Sequence, residues 1–565
     1  MTYLENYKFW LDAGLPEDVK KELLSIQNND DELKGRFGMD LQFGTAGMRG
    51  IMGAGSNRLN RYTVRKAAQG MAAWLSSTNL PQKAAIGYDS RHNSELFAQV
   101  CAVAFAEAGI ETWLYDRLAP TPMLSFAVRE LGCGCGIVIS ASHNAGEYNG
   151  VKCYGPDGCQ MTDEPAAIVT KNISRIPYFE PEKKSFKAYM EEGKISYIQQ
   201  DMWEKYYKVV MAEAVAPEML SGAGLNVVYT PLCGTGNEPV REILRRLGVN
   251  VTVVSCQEKP DGDFKTCEYP NPETDAALAE SYKVAASTPC DVILGTDPDA
   301  DRVAIAVPDG HGGYHKLSGN ELGCLLMQYI LKTRAERKDI PDGAIVVRSI
   351  VSSPLADRIA GKYGVDMHAV LTGFKYIGGE ILALEQKGEE EKFIFGFEES
   401  CGYLKGTYAR DKDAVVASML VCELAASLKL EGKTILDAMA DLYKTFGYYL
   451  AYVQSVELTG ADAMEKAAKI MENLRTNTPA SIGGVQVTLM RDYSSRTAKN
   501  LLDGTQTNIG LPKSNVLEFV LGEKGSVIVR PSGTEPKVKF YYTSVGVDED
   551  SAKQLLDAMI SQMTA

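Results

Sequence analysis

Strand-like and helix-like patterns alternate over most of this chain. A helical apolar period covers residues 62–75, strand patterns cover residues 84–88 and 112–115, and a helix is predicted to start at Thr121 and Pro122. Such alternation is typical of mostly parallel sheets that are covered by helices on both faces. The sequence therefore predicts an α/β fold for at least the first part of the chain.

The alternation resumes twice and then changes. The later strand patterns lie at residues 225–229, 251–254, 292–294, 345–347, 367–370 and 393–395. Beyond a helix near residues 436–443, strands come with fewer helices, at residues 450–456, 485–489, 516–520, 527–529 and 538–542. Because 565 residues are too many for one core, we predict three consecutive α/β domains with mixed, mostly parallel sheets and a C-terminal α+β domain. The predicted ranges are 1–205, 206–315, 316–445 and 446–565, and no Pro- or Ser-rich linker separates them.

Composition excludes several classes of partner. The net charge of -14, from 73 acidic and 59 basic residues, argues against a nucleic acid or an anionic membrane. The most apolar helix candidate, residues 414–422, is too short to span a bilayer, and the amino terminus lacks a signal-peptide layout. Twelve scattered cysteines without a C-x-x-C pair indicate a reduced, cytoplasmic protein, and five histidines make a zinc site a poor expectation.

The first chemical motif follows a run of β-branched residues at 137–139 and reads S-A-S-H-N. Ser142 and His143 should lie on a loop at the carboxyl end of this strand, where open α/β sheets bind ligands. Lys152 follows shortly after and suits a charged substrate. An ordinary polar loop is the alternative interpretation of this stretch.

The second motif, G-T-D-P-D-A-D-R, also follows a predicted strand. Asp297, Asp299 and Asp301 recur at every second residue, and each like-charged pair at about 4 Å would cost about 4 kcal/mol at an effective dielectric constant of 20. A cation removes this cost, and oxygen-only ligands favour Mg²⁺. An EF-hand is rejected because Arg302 and Pro308 replace its glycine and its glutamate. A solvated acidic turn is the alternative.

The third and fourth motifs offer groups for a sugar and a phosphate. G-F-E-E-S-C-G places carboxylates and a hydroxyl between glycines, which suits vicinal sugar hydroxyls, although a helix-start capping pattern explains it almost as well. R-P-S-G-T-E-P-K combines Arg530 with small residues that favour a backbone nest for a phosphate.

These four motifs, in this order, resemble those of the α-D-phosphohexomutase superfamily, the phosphoglucomutases and phosphomannomutases, over nearly the whole chain. Four further segments are similar: F-G-T-A-G-M-R-G (43–50), G-Y-D-S-R (87–91), T-G-F-K (372–375) and R-D-K-D-A (410–414). The branch that the chain resembles most is that of the bacterial α-phosphoglucomutases and their phosphopentomutase-like relatives. The chain departs from the usual T-A-S-H-N-P at Ser140 and Ala145, which puts the rigidity of the loop in doubt more than the activity.

The resemblance implies four domains around a central cleft, and it implies a role for each motif. Ser142 would carry the phosphoryl group, with Arg49, Lys152 and His143 as further catalytic residues. Mg²⁺ would be bound by Asp297, Asp299, Asp301 and an oxygen of the phosphorylated Ser142. The implied substrate-binding residues are Arg302, Thr372, Gly373, Lys375, Glu398, Ser400, Lys412, Arg530, Ser532, Gly533 and Thr534.

The resemblance further implies a mutase that interconverts α-D-glucose 1-phosphate and glucose 6-phosphate, with glucose 1,6-bisphosphate as intermediate and activator. Phosphomannomutase or phosphopentomutase activity is the alternative on the same scaffold, and a metal-dependent phosphatase or a silent sugar-phosphate sensor represents other classes. The expected partners are small sugar phosphates, without nucleic acid or membrane, and the expected assembly is a monomer or homodimer.

The residue that accepts the proton of the sugar hydroxyl is left open by the sequence. Lys152 could accept it if neighbouring cations lower its pKa, and His143 is the rival. We expect a loop-ordering role for His143, because a tight S-H-N turn should point adjacent side chains apart.

Overall fold

The first sheet carries the S-A-S-H-N loop. The structure is a computed structural model that describes residues 1–44, 47–459, 463–532 and 537–563. The strands of this sheet are β1 (Met48–Ile51), β2 (Lys83–Tyr88), β3 (Glu111–Tyr115), β4 (Cys135–Ile139), β5 (Tyr148–Tyr154) and β6 (Ile195–Ile198). Their order is β1-β5-β4-β2-β3-β6. Strands β4, β2, β3 and β6 run parallel, β5 is antiparallel to β4, and β1 is antiparallel to β5 and so runs in the same direction as β4.

Helices cover this sheet and precede it. The helices of this part of the chain are α1 (Tyr3–Leu11), α2 (Glu17–Ser25), α3 (Asp30–Phe37), α4 (Arg61–Ser76), α5 (Ser94–Glu107), α6 (Thr121–Glu130), α7 (Asp163–Ile173), α8 (Phe186–Glu191) and α9 (Gln200–Ala212). The first three were not predicted from the sequence; they pack a small aromatic cluster around the buried Trp10.

The second sheet carries the aspartate loop and combines parallel and antiparallel strands. Its strands are β7 (Asn226–Thr230), β8 (Asn250–Val253), β9 (Val292–Thr296), β10 (Val303–Pro308) and β11 (Tyr314–Lys316), in the order β11-β10-β9-β7-β8. The accompanying helices are α10 (Glu218–Ala223), α11 (Asn237–Arg246) and α12 (Asp275–Ala285), with a 3₁₀ turn at Ser255–Gln257. The aspartate loop joins β9 to the antiparallel β10, so it lies at the carboxyl end of a central strand.

The third sheet carries the E-E-S turn. Its strands are β12 (Ile345–Ser349), β13 (Asp366–Val370), β14 (Phe393–Glu398) and β15 (Gly402–Lys405), in the order β13-β12-β14-β15. The helices are α13 (Gly319–Arg337), α14 (Leu355–Lys362), α15 (Phe374–Glu385), α16 (Ala414–Leu430) and α17 (Ile435–Phe446), with a 3₁₀ turn at Glu390–Lys392. The alternation of strand and helix that the sequence predicts is confirmed in all three sheets.

The C-terminal sheet is antiparallel throughout its described strands. They are β16 (Tyr448–Glu457), β19 (Leu489–Asp492), β20 (Thr497–Asn500), β21 (Gln506–Asn508), β22 (Leu517–Val520), β23 (Gly525–Pro531) and β24 (Lys537–Gly546), with a separate hairpin of β17 (Ser481–Ile482) and β18 (Val485–Gln486). The helices are α18 (Ala463–Thr476) and α19 (Glu549–Met563), with a 3₁₀ turn at Gly522–Lys524. The predicted strand at residues 485–489 is wrong, because β18 ends at Gln486 and β19 begins at Leu489 to pair with other partners.

Packing unites the first three sheets more closely than the fourth. One apolar cluster contains residues of all three, and the buried Glu423 of α16 accepts the backbone N–H groups of Val215 (2.9 Å) and Ala216 (2.7 Å). The C-terminal domain has its own core and meets the third sheet through a smaller cluster that includes Ile350 and Tyr541. The predicted domains thus pack against each other, whereas their four ranges stay a prediction.

Helix length and polarity bear on membrane insertion. Within the described ranges, none of the helices is both long enough and apolar enough to cross a bilayer.

Candidate active site

Ser142 follows β4 on a short, tightly bonded loop. Its side chain is 3% exposed, and its backbone φ of +54° lies in the left-handed region, which is uncommon for a residue with a side chain. The Ser140 hydroxyl accepts the N–H of Ser142 at 2.8 Å, so the substitution of serine for the usual threonine at this position retains the hydrogen bond. The predicted loop at the carboxyl end of the strand is confirmed.

Two groups contact the hydroxyl of Ser142. Ser142 Oγ donates to Asp297 Oδ2 at 2.8 Å and lies 3.1 Å from Nδ1 of His143. The expectation that the side chains of Ser142 and His143 point apart is therefore wrong, because the left-handed backbone at Ser142 turns both toward the cleft. Burial, followed by the charges of Arg302 and Arg49, lowers the pKa of His143 well below its ordinary value, so the ring is neutral.

Arg49 approaches the same loop from the neighbouring strand β1. Its guanidinium donates to Asn144 Oδ1 at 2.8 Å, and its backbone pairs with Gly150 of β5. The side chain is exposed to the cleft, as a residue that meets a phosphate must be. The side chain of Arg49 thus contacts Asn144, which follows Ser142 by two residues in the loop.

The three aspartates form a buried cluster at the end of β9. Asp297, Asp299 and Asp301 are at most 2% exposed, and ligand oxygens from all three lie within 4.8 Å of one another. The alternative of a solvated acidic turn is therefore wrong. Asp297 Oδ1 accepts the N–H groups of Asp301 (3.1 Å) and Arg302 (2.9 Å), which fixes the loop around the carboxylate.

The chemistry of this cluster fits a hard divalent cation. Asp299 Oδ1 and Asp301 Oδ1 are buried and accept no hydrogen bond from any described residue. Such carboxylate oxygens are costly unless a cation or donor approaches them. All the candidate ligands are oxygens, including Ser142 Oγ beside Asp297, which is the ligand set that Mg²⁺ prefers.

Two lysines offset part of the negative charge. Lys152 of β5 donates to Asp299 Oδ2 (2.5 Å) and Asp301 Oδ2 (3.2 Å), and Lys412 lies 3.2 Å from Asp301 Oδ2. Burial alone would lower the pKa of Lys152, but Asp299 and Asp301 outweigh it and raise that pKa above its ordinary value. The direction of this shift is the opposite of the lowered pKa that proton acceptance by Lys152 would require, and the role of Lys152 stays a prediction.

The E-E-S segment is a turn between β14 and β15, so its interpretation as a helix start is wrong. Glu398 is buried and accepts the N–H of Gly373 at 2.7 Å, which ties the turn to the T-G-F-K loop. Thr372 Oγ1 is buried and has no hydrogen-bond partner among the described residues, and Ser400 is half-buried. The turn and the T-G-F-K loop thus bring a carboxylate and an unsatisfied hydroxyl together, and such polar groups suit a sugar site.

Two other predicted substrate-binding residues make ion pairs in this structure. Lys375 Nζ pairs with Asp163 of α7 at 3.0 Å, and Arg302 Nη1 pairs with Glu273 at 2.6 Å. The first pair joins the third domain to the first, whereas the second pair lies within the second domain. Because Asp163 is largely exposed, a bound anion can replace it as the partner of Lys375 at small cost.

The phosphate motif leaves the end of β23. Arg530 lies opposite Lys539 in the β23–β24 register, and the N–H of Ser532 donates to Lys537 O at 2.8 Å. Gly533 and Thr534 lie outside the described residues. A cavity of about 430 Å³ joins this motif to the third domain, since Thr372, Arg530 and Ser532 all contribute to its lining.

Sequence reasoning missed several residues of the site. Lys539 is half-buried, and burial, followed by the charges of Lys537 and Arg530, lowers its pKa, which is typical of a cation that awaits an anion. The alternation K-V-K at residues 537–539, at the start of β24, is the sequence pattern that could have indicated Lys539. Thr121, at the start of α6, donates to Asp299 Oδ2 at 2.7 Å, but nothing in its local sequence indicates this contact.

Comparisons with known proteins agree with this geometry. Four consecutive segments match the phosphoglucomutase/phosphomannomutase families: α/β/α domain I at residues 40–178, domain II at 204–312, domain III at 318–446 and the C-terminal domain at 464–562. A phosphoglucomutase of Staphylococcus aureus (strain MSSA476) is 36% identical over 538 residues, which are 94% of this chain and 95% of the relative. A phosphoglucomutase of Staphylococcus epidermidis is 36% identical over 534 residues, with the same coverage.

Solved structures share the fold at lower identity. A phosphoglucomutase/phosphomannomutase family protein of Burkholderia thailandensis superposes with a TM-score of 0.66 at 16% identity, covering 92% of this chain and 96% of that one. The open form of the Paramecium phosphoglucomutase parafusin gives a TM-score of 0.67 at 16% identity and covers 93% of each chain. The domain matches and the identity over almost the full length establish the relationship. This chain belongs to the phosphoglucomutase/phosphomannomutase family of the α-D-phosphohexomutase superfamily.

Proposed function

We propose that this chain interconverts α-D-glucose 1-phosphate and glucose 6-phosphate through a phosphoserine at Ser142 and a glucose 1,6-bisphosphate intermediate. The observation that carries the proposal is the 2.8 Å contact of Ser142 Oγ with Asp297, a member of the buried three-carboxylate cluster. Relatives that are 36% identical over 94% of this chain are phosphoglucomutases. A phosphoryl group on Ser142 would thus stand beside a metal site, where phosphoryl transfer needs it.

The three aspartates are the proposed Mg²⁺ ligands, together with an oxygen of the phosphorylated Ser142. When bound, Mg²⁺ supplies positive charge that stabilises the transferring phosphoryl group. Arg49, at the open side of the loop, is positioned to bind the same phosphoryl oxygens. Lys152 and Lys412 hold the carboxylates in place as ammonium groups, so their proposed role is electrostatic.

His143 is the proposed proton acceptor for Ser142. Its neutral ring can accept the hydroxyl proton of Ser142 at Nδ1 when the serine takes up a phosphoryl group, and can return it when that group leaves. Lys152 is a poorer candidate, since two carboxylates hold its proton.

The substrate would span the cleft from Ser142 to the C-terminal domain. Glu398 and Ser400 are proposed to bind sugar hydroxyls, with Thr372, Gly373 and Lys375 beside them. The distal phosphate would be bound by Arg530, Ser532 and Lys539, by the proposed phosphate-loop residues Gly533 and Thr534, and by Arg302 at the boundary between the domains. The bisphosphate must turn end for end between the two transfers, so this distal site has to release its phosphate once in each cycle.

Replacing Arg530 with alanine is expected to raise the Michaelis constant by about tenfold and to increase escape of the bisphosphate, because a charge-assisted phosphate contact contributes about 1.5–3 kcal/mol. Phosphorylation of Ser142 by bisphosphate should be partly retained, since Arg530 lies in another domain. Single-turnover kinetics with trapping of released bisphosphate measures both quantities. Wild-type values for both would remove the C-terminal domain from its proposed role as phosphate clamp. Arg496, which is on the same domain and donates to Ile509 O, is the control.

Sugar preference tests the proposed function directly. We expect the highest kcat/KM for glucose 1-phosphate when it is compared with mannose 1-phosphate and ribose 1-phosphate in one assay. A higher value for mannose or ribose phosphate would favour the phosphomannomutase or phosphopentomutase alternative. Exchange of label between bisphosphate and protein, without release of inorganic phosphate, separates a mutase from a phosphatase or a silent sensor.

The cellular setting is also a proposal. The cysteines are free thiols, and most are buried, which supports a reducing compartment such as the cytoplasm. Nothing in the proposed chemistry requires a partner other than the sugar phosphate, so a monomer or homodimer is expected.

A further inference from the structure

Two strained residues of different domains lie close to the phosphoserine loop. Ser142 has a φ of +54°, and Phe264, which is in the segment between β8 and α12, has a φ of +49°. A left-handed backbone is a clear outlier for a bulky aromatic residue and persists only where surrounding contacts hold it. Phe264 is also 1% exposed, although its neighbours Asp263 and Lys265 are exposed. The aromatic ring of Phe264 is therefore buried at the boundary between the first two domains, on a backbone conformation that surrounding contacts must stabilise.

Arg91 is the residue on which this ring rests. The centre of its guanidinium lies 5.0 Å from the centroid of the Phe264 ring, a distance typical of a cation–π contact. Arg91 is itself buried and is anchored by Asp89, whose Oδ2 lies 3.3 Å from Arg91 Nε. Removing the ring would open one face of this guanidinium to water.

Among the described residues, the guanidinium of Arg91 donates hydrogen bonds only to the phosphoserine loop and the start of β5. Nη2 donates to the carbonyls of Ser142 (2.6 Å) and Asn144, and Nη1 donates to those of Ala145 (2.8 Å) and Tyr148 (2.9 Å). The side chain of Arg91 thus binds the backbone of the loop from Ser142 to Tyr148 at the start of β5.

The residues beside Phe264 clasp the same loop. Asp263 Oδ1 lies 2.6 Å from His92 Nε2, next to Arg91 in sequence. A Cβ atom added to Gly146 would lie 2.7 Å from Gly262 O, so the backbones of the two domains are in direct contact there. Residues 261–264 therefore contact the phosphoserine loop at Gly146 and the segment that carries Arg91 at His92.

We propose that Phe264 is a positioning residue for phosphoryl transfer, and that it acts through Arg91 to hold Ser142 in its left-handed conformation. The phosphoserine loop then has its reactive shape only when residues 261–264 of the second domain are docked on it. This inference rests on the proposed function, because it assigns Ser142 as the nucleophile. It adds a contribution of the second domain that is separate from the aspartate cluster.

Kinetics of Phe264→Ala and Phe264→Leu test the proposal. We expect Phe264→Ala to lower kcat by about 10- to 100-fold, because small displacements of a reacting group have effects of this size. KM should change by less than about twofold, because Phe264 is not among the residues proposed to bind substrate. Phe264→Leu, which retains bulk but not the aromatic face, should fall between Phe264→Ala and the wild type.

Hydrogen exchange provides a readout that does not require turnover. Amides of residues 140–148 should exchange faster in Phe264→Ala than in wild type. Ile243→Ala is the matched control, since Ile243 is a buried apolar residue of the same domain that does not touch Arg91. It should lower the melting temperature without changing either kcat or exchange in the loop.

The outcomes separate the two hypotheses. Unchanged kcat and unchanged loop exchange in Phe264→Ala would overturn the positioning role, as would losses equal to those of Ile243→Ala. If the wild type has no mutase activity but residues 140–148 still exchange faster in Phe264→Ala, the proposed function is overturned. The structural coupling between Phe264 and the phosphoserine loop would then still hold.

Discussion

Replacing Ser142 with alanine is expected to lower turnover by at least about 10⁴-fold, the effect typical of removing a covalent nucleophile. Within the part of the chain that the structure describes, the side chain of Ser142 bonds only to Asp297 and His143, so its loss should leave the protein folded. Incubation with glucose 1,6-bisphosphate followed by intact-mass analysis should show one added phosphate on the wild type and none on Ser142→Ala.

Ser418→Ala is the matched control for this experiment. Ser418 lies on α16, and its buried hydroxyl has no hydrogen-bond partner among the described residues. This variant should be phosphorylated and active like the wild type. Phosphate that maps to a residue other than Ser142, or phosphate on Ser142→Ala, would contradict the assignment of the nucleophile.

Residues that end strands could be placed from the sequence. Ser142 follows the β-branched run of β4, and Asp297 follows that of β9, so both could be assigned to loops at the carboxyl ends of strands. The fold class was predictable for the same reason, since the alternation of short apolar runs with helical periods specifies α/β layers. The order of strands and helices, the ends of strands and the residue types at those ends can all be inferred from local sequence patterns.

The protonation of the site could not be predicted in this way. Proton acceptance by Lys152 would require neighbouring cations that lower its pKa, but the fold places Asp299 and Asp301 against its ammonium group. The pKa therefore rises, although burial acts in the opposite direction. Asp299 and Asp301, which are 147 and 149 positions after Lys152 in the sequence, determine the direction of this pKa shift. No local sequence pattern indicates that they lie close to Lys152 in the fold.

Local backbone conformation was the second limit. The contact between Ser142 and His143 depends on the left-handed φ of Ser142, which residue preference alone argues against. Arg91 and Phe264 contribute to this conformation from another loop and another domain. In the C-terminal domain, the apolar residues at 485–489 indicated one strand, whereas the chain uses them in two separate pairings.

Replacing Asp299 with asparagine is expected to lower kcat by about 10³-fold, because a metal that stabilises a transferring phosphoryl group contributes several kcal/mol. Asparagine retains an oxygen that can accept the hydrogen bond from Thr121, so the loop should stay folded. Isothermal titration should show weaker Mg²⁺ binding in this variant. Asp291→Asn is the control, because Asp291 lies at the opposite end of β9 and pairs with Lys429 at 2.7 Å. Loss of the Asp291 carboxylate should leave Mg²⁺ binding unchanged.

Chelation distinguishes a catalytic metal from a structural one. Lys152 and Lys412 already offset part of the carboxylate charge in the structure, so the cluster does not depend on a metal alone for its electrostatic balance. Excess chelator should therefore abolish turnover of the wild type while its melting temperature falls by only a few degrees, because a loss near 1 kcal/mol has about this effect in a chain of this size. Added Mg²⁺ should restore the rate. Full activity of the wild type or of Asp299→Asn in excess chelator would contradict the metal site. Unfolding of the wild type on chelation would show that Lys152 and Lys412 do not compensate the charge of the carboxylates.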